Sequence, residues 1–204
     1  MIQYSSQGRF ADDVFLIERS QITMMIDVLC KTDHYILVCG PKYSGKTFLL
    51  DNINSLKYNI SRFNSSDILK QMAPFENLSS HKLYEAVSNL ETVLVQELIE
   101  KDAYHLVKET RGMVPETRRV AMQVKQDITL IMMDAPLEIL ISRSALVDFH
   151  LSDAVKLVSI DKDRDMFKWP TKSEGFKKVL YVGVYSSDKE HDEMLAYFKK
   201  EIAL

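Results

Sequence analysis

Cysteine is scarce in this chain: Cys30 and Cys39 are the two in 204 residues. Two thiols build no disulfide framework, and Cys39 lies inside an apolar run where a small buried thiol is the ordinary reading. A reducing cytoplasm is the expected setting. No apolar run reaches membrane-spanning length, and the opening MIQYSSQGRFADDVF carries charges where a signal peptide needs an apolar stretch. The chain therefore reads as soluble and unexported, with no membrane partner. Positive charge is not in excess either: 26 Lys and Arg stand against 29 Asp and Glu, a net charge of −3 with a pI near 6.0. No global basic field draws the protein to nucleic acid, so any such contact has to be local. Internal repeats and low-complexity linkers are missing too.

What the sequence does have is enough apolar content, 46%, for the core of one α/β domain or a domain with a small appendage. Short apolar runs alternate with helix-period segments: HYILVCG then KTFLLDNINSL, KYNIS then HKLYEAVSNLETVLVQELIEK, AYHLVKE then PETRRVAMQVK, ITLIMMD then PLEILISRSAL, and KKVLYVGV then the C-terminal segment. This rhythm predicts an α/β fold, a doubly wound and mostly parallel five-stranded sheet with helices on both faces. Leu83, Val87, Leu90, Leu94 and Leu98 recur at helical steps and predict a packing face. Ser187 with Glu190 reads as a capping box opening the last helix, whose Leu195, Phe198 and Ile202 dock on the sheet. Residues 1–33 read as an N-terminal extension with one helix, SQITMMIDVLC, and loosely held first residues. Residues 34–204 read as the main domain.

Between the first predicted strand and its helix stands Gly40-Pro41-Lys42-Tyr43-Ser44-Gly45-Lys46-Thr47, a match to G-x-x-x-x-G-K-[ST] in the context that motif requires. Its main-chain N–H groups and the helix N-terminus offer partial positive charge to phosphates, and its glycines allow close approach. Lys46 reaches the β/γ-phosphates in such a loop and Thr47 places its hydroxyl on Mg²⁺. The expected ligand is a nucleoside triphosphate, ATP, held by Gly40, Lys42, Tyr43, Ser44, Gly45, Lys46, Thr47 and Phe48. Lys42 and Tyr43 are bulky for this loop and would cover the phosphates or face the acceptor.

Three further places bear on chemistry. Asp67 follows the second strand, where a carboxylate either accepts the proton of an attacking hydroxyl or simply caps a helix with Ser65 and Ser66. Lys108, Arg111, Arg118 and Arg119 cluster near a strand end, as a grip for an anionic acceptor or as a solvated helix face. Asp134 ends an apolar strand in the manner of a metal-holding Walker B aspartate. Ala135 follows it, so the acidic pair of hydrolysing ATPases is missing.

These landmarks, in order, resemble the P-loop kinases of the polynucleotide 5′-kinase and zeta-toxin-like type. The matching positions are Gly40 to Thr47, Asp67 with Lys70, Glu109-Thr110 with Arg118 and Arg119, Pro136 with Arg143, and Pro170 with Glu174-Gly175-Phe176. The resemblance covers roughly residues 34–204 and implies a lid-like helical segment at about 144–168. It implies an ATP- and Mg²⁺-dependent kinase acting on a hydroxyl of a nucleic acid or nucleotide, a 5′-hydroxyl of DNA or RNA or a hydroxymethyl group on a modified base as in related phage enzymes. Catalysis would fall to Lys46, Asp67 as base, and Arg143; the metal to Thr47 and Glu109; the acceptor to Lys70, Lys108, Arg111, Arg118 and Arg119. The family's lid supplies an arginine to the transferring phosphoryl group, whereas SALVDFHLSDAV here has neither arginine nor lysine. Arg143, Lys156 or Arg164 would have to substitute. Two other classes remain open on the residues: a nucleotide-dependent regulatory module, and an AAA-like ATPase.

Overall fold

The computed structural model describes residues 2–5, 13–32, 35–52, 60–64, 80–100, 105–122, 127–147 and 151–201. Its strands are β1 (Ile2–Ser5), β2 (Asp13–Glu18), β3 (Tyr35–Cys39), β4 (Ile60–Asn64), β5 (His105–Glu109), β6 (Ile128–Met133) and β7 (Lys178–Tyr185). The helices are α1 (Ile22–Thr32), α2 (Lys46–Asp51), α3 (Ser80–Glu100), α4 (Pro115–Met122), α5 (Leu137–Val147), α6 (Asp153–Met166) and α7 (Asp188–Glu201). Among the described residues these strands form one seven-stranded sheet in the order β1-β2-β7-β6-β3-β5-β4. Every neighbouring pair is parallel except β1 with β2.

All five expected strands form, as β3 to β7, and the count is corrected to seven by β1 and β2 at one edge. Their signal was weak because β1, IQYS, has only four residues and β2, DVFLIE, is bounded by charges. Leu16 and Ile17 are nevertheless fully buried, and β2 lies parallel to β7 with Leu16 opposite Gly183. The expected helix before the first apolar strand is α1.

Central strands of a parallel sheet are covered on both faces, which is why β3 and β6 are apolar and buried at every position. Alternation divides their side chains between two cores. Ile36, Val38, Ile131 and Met133 join Ile22, Met25 and Leu29 of α1 and Leu49 and Leu50 of α2. Tyr35, Leu37, Cys39, Leu130 and Met132 join Ile139 and Leu140 of α5, Ile160 of α6, and Met194 and Phe198 of α7. Trp169 sits in the second core among Phe167, Tyr181, Tyr197 and Phe198.

Helix α7 opens as expected in half: Ser187 Oγ accepts the Glu190 N–H at 3.3 Å. Glu190 reaches one residue further back than a capping box does, accepting the N–H and hydroxyl of Ser186, each at 2.9 Å. Phe198 docks on the sheet side and Leu195 is half-buried, while Ile202 lies outside the described residues. The face expected on α3 is covered at Val87, but Leu90 and Leu94 remain exposed. The side chains of Leu83 and Leu98, the other members of that face, lie outside the described residues. No helix among the described residues is long and apolar enough to cross a membrane.

Candidate active site

The phosphate loop leaves β3 at Gly40, whose φ of 149° and whose contact with β6 both exclude a side chain: a Cβ there would lie 1.9 Å from the Met133 carbonyl oxygen. Gly45 (φ 99°) turns the chain into α2. Tyr43 takes φ 64°, a region that costs a non-glycine residue on the order of 1 kcal/mol. Its ring is held against the core and beneath Lys42, whose Nζ lies 5.4 Å from the ring centroid. Neighbouring β5 is tied to the loop's root, with the Gly40 N–H donating to Arg111 O at 2.9 Å and the Thr110 N–H to Val38 O at 3.0 Å.

Lys46 is buried, and its Nζ donates to Gly40 O (2.9 Å) and Pro41 O (2.7 Å). Burial holds its ammonium below the usual lysine range, with the Glu109 charge acting in the opposite direction. Thr47 Oγ1 donates to Glu109 Oε1 at 3.1 Å. The two groups expected to hold Mg²⁺ are thus in contact although 62 residues separate them. A hydroxyl and a carboxylate are the hard oxygen donors that Mg²⁺ takes, so these residues fit the ion. Ser44 Oγ is buried in the same loop without a hydrogen-bond partner. The Phe48 ring packs on the α1–α2 core with the Arg19 guanidinium 4.6 Å from its centroid.

Asp134 does not reach this site. Its carboxylate accepts from Tyr197 Oη and from the Ala135 N–H (2.8 Å), and Arg164 NH1 lies 3.8 Å away. Burial raises its pKa to about 6, against the pull of Tyr197 and Arg164 in the other direction. The Walker B reading of Asp134 is corrected accordingly, and the carboxylate beside Thr47 comes from β5.

The expected cations divide sharply. Arg143, on α5, is 9% exposed and donates to Ser44 O at 3.2 Å, to Val184 O, and to Glu190 Oε2 at 3.5 Å. It supports the loop at the Ser44 carbonyl and is tied to β7 and α7. Arg118 is wholly buried: it pairs with both oxygens of Glu174 (2.8 and 2.7 Å) and donates to Gly112 O (2.7 Å) and Lys168 O (3.0 Å). Those bonds engage its guanidinium inside the protein, so the acceptor grip expected of it is corrected to a structural tie. Glu174-Gly175-Phe176 serves the same tie. Arg119, one residue on, is exposed and lines a cleft of about 180 Å³ with Pro115, Thr171, Ser173, Glu174 and Phe176. Asp67 and Lys70 lie outside the described residues, as does the side chain of Lys108, whose backbone pairs with Leu37 in β3.

The segment expected as a lid is the end of α5 and helix α6. Ser152 caps α6, accepting the Val155 N–H at 3.4 Å, and the far end is fixed where the Lys168 N–H meets Met113 O at 2.8 Å. Its buried residues are Lys156, Ile160 and Asp163. Lys156 Nζ donates to Asp153 at 3.2 Å, and Arg164 donates to Ala135 O at 3.1 Å. Asp163, which carried no sequence motif, accepts the Lys42 N–H at 2.9 Å and a bond from Arg111 at 3.3 Å. Its one available signal was the spacing Lys156, Ile160, Asp163, a helix face with an acid where a packing residue is usual.

No family model matches the chain, and no curated protein matches it by sequence. By structure it is similar to a sugar kinase from Janibacter sp. HTCC2649, with a TM-score of 0.52 and 11% identity over 84% of this chain and 96% of that one. A gluconokinase from Sinorhizobium meliloti 1021 gives 0.50 and 12% over 82% and 93%. A chain from the PezAT chromosomal toxin-antitoxin system of Streptococcus pneumoniae gives 0.50 and 14% over 89% and 92%. The chain shares with these structures an α/β fold, a mostly parallel sheet flanked by helices.

Proposed function

We propose that this chain is an ATP- and Mg²⁺-dependent kinase that transfers the γ-phosphoryl group to an alcohol. The observation that carries this reading is the meeting of Thr47 with Glu109, 3.1 Å apart, beside Lys46 at the mouth of α2. Loop N–H groups and the helix N-terminus bind the phosphates. Lys46 turns from the Gly40 and Pro41 carbonyls to the β/γ-phosphates, and Thr47 and Glu109 hold the metal. Mg²⁺, when bound, neutralises charge on the transferring group. Arg143 fixes the loop's far side through Ser44 O.

The acceptor is a hydroxyl of a nucleic acid or nucleotide, a 5′-hydroxyl of DNA or RNA or a hydroxymethyl on a modified base of the phage type, in a cytoplasmic setting. Residues 34–204 form the kinase unit in this reading, and Asp67 is the base that takes the hydroxyl's proton. Arg119, exposed and lining the cleft, supports an anionic acceptor, whereas Arg111, also exposed, is paired with Asp163. Neighbours named as a sugar kinase and a gluconokinase make sugar hydroxyls the acceptors to test beside them. Incubation with γ-labelled ATP, Mg²⁺ and a panel of 5′-hydroxyl DNA and RNA, hydroxymethyluracil DNA, nucleosides, nucleotide sugars and gluconate tests the proposal. Label on a nucleic acid or nucleotide, lost in Lys46→Ala and Asp67→Asn, is the expected result. Label on gluconate alone moves the acceptor to sugars.

One observation favours a second reading, a nucleotide-dependent regulatory module. The three cations expected to replace the lid arginine are all engaged elsewhere: Arg143 with Ser44 O, Lys156 with Asp153, and Arg164 with Ala135 O. Tight ATP binding with no labelled acceptor would support it.

A further inference from the structure

A phosphate loop works by presenting main-chain N–H groups to anionic oxygens. One N–H of this loop already has an anion from the protein itself: Lys42 N donates to Asp163 Oδ2 at 2.9 Å, while Arg111 NH1 donates to Asp163 Oδ1 at 3.3 Å. The Asp163 residue is 3% exposed, although Asp161, Lys162 and Asp165 on the same helix face solvent. A buried carboxylate is costly unless charge-assisted hydrogen bonds compensate it, and these two contacts supply them. They are also the contacts that a phosphate oxygen takes, a main-chain N–H and a guanidinium.

Position along the loop decides which phosphate is concerned. The helix mouth at Gly45, Lys46 and Thr47 serves the inner phosphates, and Lys46 extends to the last one. Lys42 stands upstream, on the half of the loop away from the helix and four residues before Lys46, which reaches toward the last phosphate. We propose that Asp163 competes with the terminal phosphate of a nucleoside triphosphate for the Lys42 N–H and Arg111, and so is the residue that ranks ATP against ADP at this site. The inference rests on reading the loop as a nucleotide site. ATP turns the carboxylate out and takes over Arg111, whereas ADP leaves the contact in place. The lid-like segment thus contributes an acid to the phosphate loop, and it makes triphosphate binding the weaker of the two.

Calorimetric titration of the full chain with Mg·ATP and with Mg·ADP tests this, using wild type, Asp163→Asn and Asp163→Ala, each checked for native circular dichroism. Asparagine keeps an oxygen for the Lys42 N–H and removes only the charge. Removing one negative charge beside the terminal phosphate should tighten ATP about tenfold and ADP by about twofold or less. An equal shift for both nucleotides, an unchanged ratio, or weaker ATP binding in the asparagine variant overturns the inference and leaves the nucleotide site standing. If neither wild type nor the folded variants bind either nucleotide, both readings fall together.

Discussion

Glu109 closes β5 and Asp134 directly follows β6, the two strands that flank β3, yet one carboxylate meets the phosphate loop and the other is buried against Tyr197. Glu109 lies opposite Val38, whose side chain enters the core shared with α1 and α2, so it emerges on the face where α2 begins and meets Thr47. Met132 lies opposite Cys39 in the other core, and Asp134, two residues on, continues that face into Tyr197 and Arg164. A single residue of parity separates the carboxylate that meets Thr47 from the one buried against Tyr197. The common expectation that an acid at a strand's carboxyl end serves the crevice holds only once its face is known.

The sharpest way to break this comparison is to neutralise each acid in turn. Glu109→Gln should lower kcat/KM for phosphotransfer by on the order of 10²–10³ while leaving stability within about 0.5 kcal/mol. Steady-state rates across a Mg²⁺ series would read this out, the deficit shrinking at high Mg²⁺. A matching Mg²⁺-dependent loss in Asp134→Asn would erase the distinction. Asp134→Ala should instead cost about 2–3 kcal/mol in denaturant unfolding, because the Tyr197 hydroxyl and the Arg164 guanidinium lose their buried acceptor.

Acidity sharpens the contrast further. The Asp134 pKa is raised to about 6 in the fold from an ordinary 3.8, so between those values the folded chain holds a proton that the unfolded chain has released. This group's contribution to stability is therefore greatest below pH 4, falls as pH rises toward 6, and is least above it. Other carboxylates, such as Glu190 with its lowered pKa, run the opposite way, so the readout is the difference between wild-type and Asp134→Asn unfolding curves across pH 4 to 7. That difference should vary with pH between 4 and 6 and level off above. The smallest effect is expected at the cleft: Arg119→Ala should raise the acceptor KM about fivefold and leave kcat unchanged, measured with the acceptor that labelling identifies.

Much of the loop was legible beforehand because glycine spacing, a lysine and a hydroxyl between strand and helix are local facts. Thr47 and Glu109 were paired in advance through the resemblance rather than through any local rule. Asp134 was misread because register, which assigns its face, depends on which strands become neighbours. Arg118 and Arg119 looked alike as adjacent helix cations. Only the approach of Glu174, from 56 residues away, buries one and leaves the other at the surface. Asp163 went unnoticed since nothing local marks an acid that will meet a loop 121 residues distant.

Helix α6 is buried along one face at Lys156, Ile160 and Asp163 and tied most closely at its far end. Around Arg164 to Lys168 it is held by Ala135 O, by Met113 O and by the buried Arg118, whereas its Ser152 and Asp153 end is exposed. Such an arrangement is a lever with its fulcrum beside the point of load. Asp163 stands about 6 Å from Phe167 along the helix axis and Asp153 about 21 Å, so a tilt that moves the carboxylate by about 1 Å carries the opening turn through about 3.5 Å. Val155 and Val158, exposed near that travelling end, move with it.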